Sequence, residues 1–139
     1  MMRRMSDIVR NQNPVTLPPT ATVKAACQCM RQHKVGAVLV TDAEKHLLGI
    51  LTGRDVIGRV VAEGKDPERT TLSEVMTHKP RSMSTSKSAI DALHLMHDIG
   101  CRHVPIVEQG KVVGVASSAD FRGTELDRLD EETGFWERI

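Results

Sequence analysis

A mixed α/β fold made from two copies of one β-α-β-β-α unit is predicted, and three observations predict it. The chain repeats itself, because Asn13-Pro14-Val15-Thr16-Leu17 aligns with Lys79-Pro80-Arg81-Ser82-Met83 at an offset of 66. Within each copy the apolar period changes from helical to strand-like. Each copy then ends on the same string, in which an apolar strand runs into a hydroxyl residue with an acid three positions later.

The alignment extends through most of the 139 residues. The same offset sets Thr22 on Ser88, Ala26 on Ala92, Met30 on Met96 and Val38 on Val104. After a one-residue gap the offset becomes 65, pairing Gly49 with Gly114, Thr52 with Ser117 and Asp55 with Asp120. Upstream, Met5-Ser6-Asp7-Ile8-Val9 resembles Leu72-Ser73-Glu74-Val75-Met76.

Taken in order, each copy opens with a short extended piece after a proline, Val15 to Leu17 or Arg81 to Met83. An amphipathic helix follows near Thr22 to Gln32 and Ser88 to Ile99. Its apolar positions (Val23, Ala26, Cys27, Met30; Ala89, Ala92, Leu93, Met96) recur at three and four. Thr22 and Ser88 are the predicted N-caps, since a hydroxyl there can accept from a free N–H of the first turn. Two strands come next: Ala37 to Thr41 with Leu47 to Leu51, and His103 to Val107 with Val112 to Ala116. Asp42 to Lys45 and Glu108 to Gly110 are their turns. A second helix is expected from near Arg54 and from near Ala119. The polar stretch Lys65-Asp66-Pro67-Glu68 separates the copies. A unit this small buries little apolar surface alone, so the two are expected to pack face to face. The expected division is repeat 1 with an N-terminal extension over 1–66, repeat 2 over 67–123, and an acidic amphipathic tail over 124–139.

Composition narrows the function. Lys plus Arg number 19 and Asp plus Glu 18, so bulk charge does not point to a polyanion. Arg3, Arg4 and Arg10 make only the start basic, and the acids gather after Phe121. The aromatics, Phe121, Phe135 and Trp136, all stand at the C-terminal end, leaving the body without a platform for stacking bases. Both features weigh against nucleic-acid binding. No apolar run reaches the roughly 18 residues of a membrane span, and no signal segment opens the chain. The reading is a cytoplasmic protein. Cys27, Cys29 and Cys101 form no disulfide framework.

The duplicated string, Gly49-Ile50-Leu51-Thr52-Gly53-Arg54-Asp55 and Gly114-Val115-Ala116-Ser117-Ser118-Ala119-Asp120, carries the candidate chemistry. A helix start offers N–H groups to a phosphate. The hydroxyl can donate to a phosphate or ribose oxygen, and a carboxylate can accept from two ribose hydroxyls. The same string also reads as a capping box that only starts a helix; both readings stand, and they are compatible. Arg102 and His103, at a strand entrance, could meet phosphate, as could Arg54 and Arg81. The first copy has Gly36 and Ala37 where the second has Arg102 and His103.

Other patterns fail. Gly58 to Lys65 has five residues between its glycines, where a P-loop has four, and Asp66 in place of the hydroxyl. His94, His97, Cys101 and His103 have no convincing metal spacing, and no metal is expected. Cys27 and Cys29 read as core. Neither a nucleophile set nor an acid–base carboxylate pair is identifiable. The tail, with Leu126, Leu129, Phe135, Trp136 and Ile139 among acids, reads as a packing helix or a docking peptide.

The strings Thr52-Gly53-Arg54-Asp55, Cys101-Arg102-His103-Val104-Pro105-Ile106-Val107 and Ser117-Ser118-Ala119-Asp120, with Leu72 to Thr77 ahead of Pro80, resemble the cystathionine-β-synthase (CBS) domain family over roughly residues 5 to 122. That resemblance implies two β-α-β-β-α repeats packed pseudo-symmetrically as a Bateman module. Such pairs often dimerise. It implies two composite clefts for AMP, ADP or ATP, or for NAD or S-adenosylmethionine, with Asp55 and Asp120 on ribose and Thr52 and Ser117 as hydroxyl partners. One cleft would join Thr52, Arg54 and Asp55 to Thr77, Arg81, Arg102, His103 and Pro105. The other would join Ser117 and Asp120 to Val15, Thr16, Val35, Gly36 and Ala37. Leu39 stands where the second copy has Pro105, and the first cleft holds the basic groups, so unequal occupancy is expected.

The function expected is a non-catalytic, free-standing sensor: a homodimer whose adenosine nucleotide shifts a two-state packing that an unknown protein effector reads. The alternatives are a nucleotide-processing enzyme, with His103 its one candidate base, and a structural homodimer with empty clefts.

Overall fold

The computed structural model describes residues 3–121 and 123. In chain order it contains α1 (Met5–Ile8), β1 (Thr16–Leu17), α2 (Val23–His33), β2 (Ala37–Thr41), β3 (Leu47–Thr52) and α3 (Gly53–Val56), which runs on into a π-turn at Ile57–Val61. Then follow α4 (Leu72–Val75), β4 (Thr77–His78), β5 (Met83–Ser84), α5 (Ala89–Ile99), β6 (His103–Glu108), β7 (Lys111–Ser117) and a 3₁₀ turn at Ser118–Asp120. The expected tail helix and the body of a helix after Ala119 lie outside the described residues.

The elements gather in two compact units. One takes Asn13–Pro80 with Gln109–Val112; the other takes the segment up to Gln12, Arg81–Glu108 and the stretch from Val113 on. In these units α1 packs with the second copy. Its Met5 N–H donates to the Lys87 carbonyl at 2.7 Å, and the Ala89 N–H donates to the Arg3 carbonyl at 2.8 Å.

The first-repeat unit holds a sheet of order β1-β2-β3-β4, with β1 parallel to β2 and the remaining pairs antiparallel. Its core is formed by Val23, Ala26 and Met30 of α2, Val38 and Val40 of β2, Leu51 of β3, Val60, and Leu72, Val75 and Met76. Cys27 and Cys29 pack against that cluster, as core residues would. The second-repeat unit holds β5-β6-β7 and its own cluster, including Met5, Val9, Leu93, Met96, Val104 and Ile106. These core positions are the helical three-and-four repeat seen in the sequence, facing a sheet.

Local signals set the boundaries. Thr22 caps α2 by accepting from the Ala25 N–H at 3.1 Å, and Ser88 caps α5 by accepting from Asp91 at 3.2 Å. Both helices end on a left-handed residue at matched positions, Lys34 (φ 55°) and Gly100 (φ 68°). At the turn between β6 and β7, Gln109 and Gly110 both have positive φ, 52° and 79°, as a two-residue hairpin requires.

Register confirms the repeat offset. Leu17 pairs with Val40, and Met83 with Ile106, each 66 residues on. The extended piece expected at Arg81–Met83 is displaced, however, and β5 begins at Met83. In the first copy the Leu39 N–H donates to the Val15 carbonyl at 3.0 Å. Pro105 occupies the matching place and has no N–H to give, so pairing starts one residue later.

Candidate functional site

Each unit presents one strand-to-helix turn carrying the hydroxyl and the acid. At the end of β3 the Thr52 N–H donates to Asp55 Oδ2 at 2.9 Å, and the Asp55 N–H donates to Thr52 Oγ1 at 3.2 Å. The Gly53 N–H donates to the Gly36 carbonyl at 3.1 Å, tying the turn to the entrance of β2. At the end of β7 the Ser117 N–H donates to Asp120 Oδ2 at 2.7 Å, and the Ser118 N–H to the Arg102 carbonyl at 3.0 Å. The capping box is thus formed at both turns, and it occupies one carboxylate oxygen of each acid.

The turns differ in what remains. Thr52 Oγ1 serves as an acceptor, so its own proton is left to donate to a ligand. The Ser117 hydroxyl donates instead to Asp120 Oδ2 at 3.2 Å. Arg54 stands inside the first turn where Ala119 stands in the second. Asp55 is half-buried, its side chain 15% exposed, and its Oδ1 faces the Arg59 guanidinium at 3.7 Å. The same guanidinium donates from Nη1 to the Val75 carbonyl at 2.9 Å and to Thr77 Oγ1 at 3.2 Å. Arg59 was missed in the sequence. Its signal was available, since it lies four residues after Asp55 on a helix and therefore on the same face.

The other candidates divide between the units. Val15, Thr16, Val35, Gly36, Ala37, Thr52, Arg54, Asp55 and Thr77 belong to the first-repeat unit; Arg81, Arg102, His103, Pro105, Ser117 and Asp120 belong to the second. In the first, Ala37 pairs with Thr52 across β2 and β3, and Thr16 with Leu39, so Gly36, Ala37 and Thr52 come together. Val35 and Gly36 are exposed, whereas Ala37 is buried. In the second, Arg102 and His103 stand beside the Ser117 turn, Arg102 exposed and His103 half-buried. Arg81 is exposed ahead of β5, and Pro105 is fully buried within β6. Burial pushes the neighbouring Cys101 thiol above the ordinary range.

The N-terminal arginines are used within the second-repeat unit. Arg3 donates to the Asp120 carbonyl at 2.8 Å, Arg4 to the Ser86 carbonyl at 3.0 Å, and Arg10 to Asp7 at 3.0 Å. Among the described residues no group of His, Cys, Asp and Glu is arranged to hold a metal ion. No helix among them is long and apolar enough to cross a membrane.

Two β-α-β-β units, each ending in a hydroxyl-to-acid turn, define a tandem-repeat α/β protein. The chain belongs to the CBS-domain family, whose model matches residues 5–62 and 72–125. It is 39% identical over 123 residues to the CBS domain-containing protein CBSCBSPB3 of Arabidopsis thaliana, a match covering 88% of this chain and 22% of that protein. It thus spans about a fifth of that relative's length. It is 38% identical over 111 residues to the CBS domain-containing protein YhcV of Bacillus subtilis, covering 80% of this chain and 78% of the other. Among solved structures it is similar to a CBS domain protein of Pyrobaculum aerophilum complexed with AMP. There the TM-score is 0.82 and the identity 26%, over 92% of this chain and 98% of that one.

Proposed function

We propose that this chain is a non-catalytic regulatory module that binds an adenosine nucleotide, with AMP, ADP and ATP ahead of NAD and S-adenosylmethionine. The observation that carries the reading is the duplicated turn, where Asp55 and Asp120 each keep one carboxylate oxygen outside the cap. That oxygen is the acceptor a ribose diol needs. The AMP complex of the Pyrobaculum relative supports the same class of ligand. Arg54, Arg81, Arg102 and His103 are the groups offered to phosphate, and Thr77, Val15, Thr16, Val35, Gly36, Ala37 and Pro105 are the remaining ligand-lining candidates. Occupancy is unequal: the Asp55 turn binds more tightly, because it has both Arg54 and a hydroxyl proton to give.

The module acts as a homodimer and reports to a protein effector. Ile57 and Val61, 68% and 66% exposed and four residues apart on one helix, are the apolar surface offered to a second copy. Light scattering of wild type against an Ile57→Glu/Val61→Glu variant tests this; identical masses would refute it.

Isothermal titration with AMP, ADP, ATP, NAD and S-adenosylmethionine tests the ligand. Micromolar binding of at least one is expected. Asp55→Asn keeps an acceptor for the cap and removes the charge, so it weakens binding with little loss of stability. Flat titrations with all five, and no thermal shift, would leave only the structural-dimer reading. Conversion of the nucleotide on long incubation, followed by mass spectrometry, would favour the enzyme.

A further inference from the structure

Arg59 has no part in the chemistry assigned above, yet it sits between three groups of the first-repeat unit. Its side chain is half-exposed, and its guanidinium donates to the Val75 carbonyl and to Thr77 Oγ1 while facing Asp55 Oδ1 at 3.7 Å. It lies in the one π-turn of the described residues, where the Ala62 N–H donates to the Ile57 carbonyl five residues back at 2.9 Å. Such widened turns recur at functional sites. Here the turn keeps Val60 fully buried in the core and leaves Arg59 on the side of Asp55, α4 and β4.

The geometry points to Arg59 as the positioning residue of the Asp55 turn: it orients the carboxylate for a ribose diol and ties its occupation to the Val75–Thr77 segment. The backbone cap fixes Oδ2 and leaves the rotation that places Oδ1 to another partner. A guanidinium anchored by hydrogen bonds to Val75 and Thr77 is a held charge for that oxygen to face, because its donors lie in one plane. A diol donating to Oδ1 competes for the same lone pairs, so binding changes the load on Arg59 and reaches Val75 and Thr77 through Nη1. At an offset of 65 the second repeat has Thr124, which carries no charge, in place of Arg59.

The inference rests on the nucleotide reading of that turn, and the test separates the two. Calorimetry with AMP and with adenosine is run on the full chain as wild type, Arg59→Gln, Arg59→Lys, Asp55→Asn and Asp55→Asn/Arg59→Gln. Thermal midpoints check folding. Arg59→Gln is expected to weaken both ligands by the same factor, about two- to fivefold, the scale of a partly exposed ion pair. Arg59→Lys recovers part of it. In the Asp55→Asn background the second substitution has little further effect. Amide exchange over Val75–His78 is altered by adenosine in wild type and not in Arg59→Gln. A loss for AMP alone would make Arg59 a phosphate ligand and overturn the inference, as would unchanged affinities or losses that add in the double variant. Wild type that binds neither ligand defeats the nucleotide reading itself and the inference with it, an outcome visible before any variant is compared.

Discussion

Gly114 lies against Val9 so closely that an added Cβ would stand 2.6 Å from the Cβ of Val9. The first-repeat unit repeats the relationship, with the Cβ position of Gly49 2.5 Å from Sδ of Met76. Gly49 and Gly114 are repeat partners, and so are Met76 and Val9. Each short helix therefore ends on the glycine of the sheet it packs against, which places α1 with the second copy and α4 with the first.

That contact predicts unequal costs. Gly114→Ala meets a β-branched side chain near its backbone, and the cost is about 1–3 kcal/mol, the range for overpacking a core. Gly49→Ala meets the far end of a flexible methionine and costs about 1 kcal/mol or less, because thioethers repack readily. Urea denaturation of both variants checks the order; a Gly49→Ala variant that is the weaker would contradict it.

Lys34 closes α2 in the left-handed region, φ 55° and ψ 46°, where Gly100 closes α5. A side chain there costs roughly 1 kcal/mol that glycine does not incur. Lys34→Gly is expected to raise the thermal midpoint, and Gly100→Ala to lower it. A lowered midpoint in Lys34→Gly would show that the lysine side chain contributes more than the strain costs.

Gln12 replaces a strand. Its Nε2 donates to the Val115 carbonyl at 3.0 Å, and its Oε1 accepts from the Val115 N–H at 2.9 Å. In the first-repeat unit the partner of Val115, Ile50, is paired instead by Thr77 of β4. One carboxamide thus does for a three-stranded sheet what a fourth strand does for the other. Gln12→Ala removes two part-buried bonds, with an expected loss of about 1–3 kcal/mol, and Gln12→Glu loses the donor alone. Hydrogen exchange at Val115 is the direct readout; unchanged protection in Gln12→Ala would refute the role.

Acid should loosen the cap of α5. The Asp91 carboxyl is held below its usual range, first by the Ser88 backbone N–H and then by the Ser88 hydroxyl, against the opposing effect of burial. A pKa depressed in the folded state means stability present above the unfolded value of about 3.9, lost as pH falls through the folded one. Asp42, held down first by the His46 N–H, adds in the same direction. Asp91→Asn should therefore narrow the drop in thermal midpoint between pH 6 and pH 3, and an unaltered drop would discount the cap.

The sequence by itself determined the repeat, the helix and the two-strand hairpin of each copy, the N-caps and the pairing of Thr52 with Asp55 and Ser117 with Asp120. These are legible because they rest on local spacing: a helical or strand period, and a hydroxyl three residues before an acid. Tertiary structure alone decided that α1 serves the second copy, that Gln12 stands in for a strand, that Pro105 shifts β5 by one residue, and that Arg59 faces Asp55 while holding Val75 and Thr77. Each of these depends on segments far apart in the chain meeting at a set register, and no local period encodes which glycine a distant helix will press against.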